Sequence, residues 1–131
     1  MTRKASCSCG QLTLLCEGTP TRVGICHCLA CQLRTGSAFG VQARFPRDKV
    51  TIAGTATEWT RTGDDGGRVT LRFCATCGAT VYYTLAQEPE LVGVPVGAFA
   101  DPSFPPPTYS VYEARRHAWV QTPASCVRRG D

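Results

Sequence analysis

"RVTLRFCATCGATVYYTL", residues 68–85, decides what kind of fold this chain can make. Two runs rich in β-branched and aromatic residues, Arg68–Phe73 and Thr80–Leu85, flank the sequence CATCG, and both read as strands. Cys74 and Cys77, with two residues between them, can put both sulfurs on one metal ion, and Gly78 permits the tight turn that aims backbone N–H groups at the thiolates. The stretch is a metal knuckle set between two strands.

Outward from the knuckle the same signals recur. "TEWTRT" (57–62) is followed by "GDDGG" (63–67), which reads as a hairpin tip leading into the strand at 68–73. "QLTLLC" (11–16) and "FGVQARF" (39–45) are strands, with turn signals at "EGTP" (17–20) and "FPRDK" (45–49). "LVGVPVGAF" (91–99) is a strand-like run interrupted by Gly93 and Pro95, and the Pro-rich "DPSFPPP" (101–107) reads as an extended surface connection to a last strand near "YSVY" (109–112). The best helical segment is "LACQLRTG" (29–36), one or two turns stopped by Gly36. Short strands at close spacing with little helix predict a mainly β fold.

At 131 residues the chain is expected to form one domain, residues 1–131, with its core between about residues 5 and 120. Hydrophobic residues make up 43% and charged residues 18%, which argues for a folded chain and against a disordered one. The N-terminal "MTRKASCSCG" has basic residues but no apolar stretch behind them, and nothing approaches the ~18 apolar residues of a membrane span, so a cytoplasmic protein with no membrane partner is expected. The formal charge of +4 falls to about +1 once two Zn²⁺ on seven thiolates are counted. With Arg and Lys dispersed and no basic run, nucleic acid is not the expected partner.

Nine cysteines in a chain without an export signal favour metal binding or thiol chemistry over disulfides. Seven of them fall in three groups: Cys7-x-Cys9, Cys26-x-Cys28-x-x-Cys31 and Cys74-x-x-Cys77. In an extended segment Cys7 and Cys9 point to the same side. Joined to Cys74 and Cys77 they make a four-sulfur tetrahedron that clips the N-terminus to a point roughly seventy residues later. That leaves "CHCLAC" (26–31) with three thiols, and an ion held by three protein ligands keeps its fourth position for water or substrate. The rival reading closes that position with His27, His117, Cys16, Cys126 or a carboxylate. His27, between two ligands, would point to the opposite face of an extended segment. Cys16 is expected as a small core hydrophobe and Cys126, near an Arg-rich tail, as a bystander.

"CSCG", then "CHCLACQLRTGSAFG", then "RFCATCG" resembles the glutathione-dependent formaldehyde-activating enzyme family, to which centromere protein V is also related. The resemblance runs from residue 7 to about residue 119 and centres on CHCxxCQxxTGSAF followed roughly forty residues later by FCxxCG. It implies a small zinc-stabilised β-tent, with a structural zinc on Cys7, Cys9, Cys74 and Cys77 and a functional zinc on Cys26, Cys28 and Cys31. The activity it implies is condensation of formaldehyde with the thiol of glutathione, formally the reverse of a carbon–sulfur lyase reaction. Three thiolates give the second site a negative charge that weakens Lewis acidity, so deprotonating the thiol is the more natural role of that ion than polarising the aldehyde.

Glutathione's carboxylates would need cationic partners, and Arg34 is the nearest in sequence, with Arg44 and Arg72 behind it. The loop "TGSAFG" (35–40) would set the hydroxyls of Thr35 and Ser37 beside the zinc loop as substrate contacts. Alternatively, Gly36 only ends a helical turn and Phe39 enters the core. Ser110 stands where the family's last strand carries a histidine before an aromatic residue. Two rivals to an enzyme stay open: a non-catalytic zinc module that binds another macromolecule, and a thiol-rich metal buffer or redox sensor. The Pro-rich connection and Trp119 also permit a homodimer.

Overall fold

The structure, a computed structural model, describes every residue except Asp64. In chain order the strands are β1 (Thr2–Ser6), β2 (Thr13–Glu17), β3 (Arg22–Cys26), β4 (Gly40–Pro46), β5 (Val50–Ala53), β6 (Thr57–Thr62), β7 (Arg68–Phe73), β8 (Thr80–Leu85), β9 (Glu88–Pro95), β10 (Tyr109–Val111) and β11 (Val127–Arg128). A short helix, α1 (Leu29–Thr35), lies between β3 and β4. The fold is mainly β, as the strand spacing predicts. β1, β2 and β5 form a three-stranded antiparallel sheet; the larger sheet runs β11-β10-β3-β4-β9-β8-β7-β6, with β10 parallel to both β3 and β11.

The main core lies where the two sheets meet. Ala5, Leu14 and Cys16 come from the small sheet, and Ala43, Phe45, Val81, Val92 and Val94 from the large one. Cys16 is fully buried there, the small hydrophobe the sequence predicts. The connection after β9 is not simply a surface strap: Phe104 is buried and stacks on Phe99 at 4.7 Å between ring centroids. Its prolines keep the chain extended while the aromatic ring anchors it.

Along β4 the two-residue period sends Ala43 and Phe45 into this core and turns Gln42 and Arg44 to the other face. In β8 a bulge interrupts the period: pairing with β7 passes from Phe73↔Thr80 to Arg72↔Tyr82, leaving Val81 unmatched. Val81 and Tyr82 consequently both pack in the main core, while Tyr83 packs with Val69 and Leu71 in a separate cluster.

The predicted strands at 57–62, 68–73 and 80–85 coincide with β6, β7 and β8. The predicted hairpin tip at 63–67 includes Asp64 and lies partly outside the described residues, but β6 and β7 pair antiparallel from Thr57↔Phe73 to Thr62↔Arg68. β1, β3, β5 and β11 were not apparent from sequence. β1 buries only Ala5, so it carries no alternation to detect. β3 contains Gly24, which reads as a break, yet a side chain there would collide with the Tyr109 ring. Tyr109 pairs with Gly24 across the parallel β3–β10 ladder, and the glycine makes room for it. Among the described residues no helix is long and apolar enough to cross a membrane.

Candidate metal centre

The four-cysteine group is assembled from two turns of the same design. After β1, Gly10 takes φ 86° and donates its N–H to the Cys7 carbonyl at 3.2 Å; after β7, Gly78 takes φ 81° and donates to the Cys74 carbonyl at 2.7 Å. A left-handed residue there lets the chain fold back on its own cysteine, which only glycine adopts without strain. The sulfurs of Cys7, Cys9, Cys74 and Cys77 all lie within 4.8 Å of one another. The Leu12 N–H donates to Cys7 Sγ at 3.3 Å, and the Gln11 amide donates to Cys74 Sγ at 3.1 Å while pairing at both ends with the Thr55 backbone. The Gln11 hydrogen bond, helped by the Cys77 backbone N–H, pulls the Cys74 thiol down to about 5.

The three-cysteine group comes from one continuous piece of chain. Cys26 ends β3; Cys28 caps α1 in an extended conformation, its sulfur accepting from the Cys31 N–H at 3.3 Å; Cys31 sits in the first turn, buried. The three sulfurs lie within 4.8 Å of one another. The Gln42 amide, from the face of β4 turned away from the main core, donates to Cys31 Sγ at 3.3 Å. Hydrogen bonds from the Cys26 and Cys28 thiols, with the Arg34 charge nearby, hold Cys31 far below the ordinary thiol range, while the same contacts raise Cys26. The surroundings thus keep negative charge on the Cys31 sulfur, the state a metal ligand requires. Both groups therefore suit soft divalent metal, zinc included.

None of the donors weighed as a fourth ligand joins this cluster among the described residues. The His27 ring is fully buried on the other side, with Nε2 3.0 Å from Ser110 Oγ and 3.2 Å from Glu113 Oε2. Because the Ser110 hydroxyl donates to Glu113, its oxygen is left to accept from His27, which places the imidazole proton on Nε2. Burial lowers the His27 pKa and keeps the ring neutral. Glu113 is further held by Thr122 at 2.7 Å, Arg128 at 2.9 Å and Arg116 at 3.1 Å. His117 pairs with the Gln32 side chain at 2.8 Å, and Cys126 is buried with its thiol donating to the Pro107 carbonyl. Cys126 thus packs the tail to the Pro-rich strap, a structural contact the sequence did not suggest.

Cys26 and Cys28 open onto a cavity of about 170 Å³, whose wall also includes Arg34, Gln42, Arg44 and Tyr83. Arg44 donates to Glu88 at 2.9 Å, a carboxylate it shares with Arg22, and its guanidinium lies 5.8 Å from the Tyr83 ring centroid. Arg72 is elsewhere, paired with Glu58 at 3.0 Å and set over the Tyr82 ring. The two-residue period of β7 sets it on the face opposite Val69 and Leu71, which line the cavity. The Thr35 hydroxyl donates to the Cys31 carbonyl at 2.8 Å and accepts from the Ser37 N–H at 3.1 Å. Thr35 and Ser37 are exposed and are not among the cavity's described wall residues. Tyr83, Gln42 and Gln11 were missed from sequence, although one signal was available: Gly93 sits in β9 because the Tyr83 ring occupies the space a side chain would need.

A family model described as glutathione-dependent formaldehyde-activating enzyme matches residues 2–115. Among curated proteins, none matches. A crystal structure of a Rhodobacter sphaeroides protein is similar in fold, with a TM-score of 0.58 and 22% sequence identity over 79% of this chain and 91% of that one.

Proposed function

The chain belongs to the glutathione-dependent formaldehyde-activating enzyme family, and from that membership we propose a zinc enzyme of carbon–sulfur lyase type that joins a small thiol, such as glutathione, to formaldehyde or a similar small aldehyde. In this reading Cys7, Cys9, Cys74 and Cys77 hold a structural zinc, and Cys26, Cys28 and Cys31 hold the catalytic one. The observation that carries it is the three-sulfur cluster facing a cavity, with no fourth protein donor beside it among the described residues. A metal at that cluster would favour the thiolate form of a thiol bound next to it.

The condensation itself balances simply. The thiol loses its proton, the sulfur forms a bond to the carbonyl carbon, the C=O π pair moves onto oxygen, and that oxygen takes a proton. The chain's own residues organise this step. The Gln42 amide and the Cys31 N–H fix the cysteine sulfurs, so the site need not rearrange as ligand arrives. Arg34, on the cavity wall, is the substrate contact best placed for a carboxylate. Thr35 and Ser37 contribute in this reading by shaping the loop after α1 through their hydrogen bonds. Thiolate ligands call for a reducing compartment, and cytoplasmic residence follows from that.

Exchange NMR between free and thiol-bound formaldehyde tests the proposal. The metal-loaded chain should accelerate exchange above the unassisted background, and Cys28→Ser should remove the effect while leaving the chain folded. A parent rate equal to background would favour the rival, a zinc-supported interaction module, for which the exposed Leu33 and Trp59 beside a second, mostly apolar groove are the supporting observation.

A further inference from the structure

Formaldehyde carries no charge, yet the cavity beside the three cysteines is lined by Arg34, Arg44 and Arg61 against one carboxylate, Asp65. Four buried side-chain nitrogen or oxygen atoms lack a hydrogen-bond partner among the described residues: His27 Nδ1, Arg34 Nη2, Arg44 Nε and Tyr83 Oη. The last three belong to wall residues of this one cavity. Buried donors are rarely left unpaired in folded proteins, because an unmade hydrogen bond costs the full desolvation of the group. The three residues share one cavity wall, and the cationic, hydrogen-bonding edge they form there suits an acceptor that arrives with the ligand. Two of them carry guanidinium charge, and the acceptor that suits a guanidinium edge plus a phenol is a carboxylate, with two oxygens and several lone pairs.

The position of Arg34 limits how far that carboxylate can be from the metal site. A Cβ built on Gly40 would stand 2.9 Å from Arg34 Nη2 and 3.5 Å from Cys31 Cβ, so the guanidinium lies against the base of the three-cysteine cluster. Tyr83 is in the electrostatic range of Arg34, Arg44 and Cys31 together. A ligand seated on Arg34 while reaching the cysteines carries its carboxylate close to the reacting sulfur or carbonyl carbon. In glutathione both carboxylates lie much further along the molecule.

Resting on the metal reading above, we infer that the cavity is an anion subsite formed by Arg34, Arg44 and Tyr83 for a short carboxylate substrate, either an α-mercapto acid or an α-oxo acid. The two sources share one chemistry, a carboxylate adjacent to the reacting centre, and paired ligands separate them. Mercaptoacetate is compared with 2-mercaptoethanol by titration of the cobalt-substituted full-length chain, read from its visible absorption. Glyoxylate is compared with formaldehyde, at a fixed concentration of a neutral thiol, by exchange NMR on the zinc form.

The expected result is a preference of about tenfold or more for the carboxylate member in one pair. A preference in the first pair assigns the carboxylate to the thiol, and one in the second assigns it to the aldehyde. Arg34→Gln and Tyr83→Phe, each required to keep the parent's metal content, should bring that ratio towards one. Equal shifts of the cobalt spectrum by both thiols, with equal exchange for both aldehydes, would overturn the subsite while leaving thiol binding at the metal intact. A preference that survives both substitutions would overturn it as well. Loss of any spectral response to either thiol would remove the metal reading and the subsite together.

Discussion

The two cysteine groups use the same local chemistry for opposite ends. In each, a glutamine amide donates to one sulfur, Gln11 to Cys74 and Gln42 to Cys31, and a backbone N–H donates to another. They differ in what the chain does around them. The four-sulfur group ties the loop after β1 to the loop between β7 and β8, so it joins the small sheet to the large one. The three-sulfur group is drawn from one run at the junction of β3 and α1, ties nothing distant together, and faces a cavity. In the proposed reading, ligand number and chain separation, more than the identity of the ligand atom, divide a clip from a working site.

The sharpest way to break this contrast is Cys74→Ser. It should cost one metal ion per chain and unfold the domain, because structural zinc supplies about 10 kcal/mol or more to folding. Circular dichroism with metal analysis checks it, and a folded variant would mean the four-sulfur group is no clip. Cys28→Ser should do the reverse, leaving the melting transition in place while metal content falls and thiol–aldehyde exchange drops to background.

A smaller effect is expected at Glu113, which binds neither group directly but supports His27 between two ligands. Burial alone would raise its pKa, but hydrogen bonds from Ser110, Thr122 and Arg128 outweigh that and bring it down to about 2 from an ordinary 4.5. A depressed carboxylate stabilises the fold above its unfolded value, and the contribution is lost as pH falls through the folded one. Glu113→Gln should therefore be less stable than the parent by about 2 kcal/mol near neutral pH. That gap should narrow between roughly pH 4.5 and pH 2. Denaturant titrations of both proteins, run from neutral pH down to the point where metal is lost, measure the gap and the onset of its narrowing. The mildest change is Gln42→Leu, which removes one N–H from Cys31 and should weaken metal at the three-sulfur site about tenfold, with the four-sulfur site unaffected. Competition with a coloured chelator reads the two sites separately.

The division of cysteines was legible because ligand spacing is local: CATCG and CHCLAC each show their geometry within a few residues. The strands around the knuckle were equally legible from their β-branched content. What sequence could not show was which face a residue takes once a strand is irregular. Arg44 and Arg72 look equivalent in sequence, yet only Arg44 lines the cavity, and the bulge at Val81 puts the neighbours Val81 and Tyr82 in one core. β3 was hidden by Gly24, whose purpose is visible only when Tyr109, far along the chain, is laid across it. Thr35 and Ser37 looked like ligand contacts because they follow the cysteines directly, but their hydrogen bonds close the end of α1.

The last strand has a practical bearing on any work with this protein. β11 pairs with β10, and Arg128 reaches back to the carboxylate that steadies His27 between Cys26 and Cys28. Val127 and Arg128 thus serve as a latch on the loop that carries Cys26 and Cys28. A protease that clips the chain before Val127 during purification would remove that latch, and the preparation would lose metal at the three-sulfur group for reasons remote from the cysteines themselves.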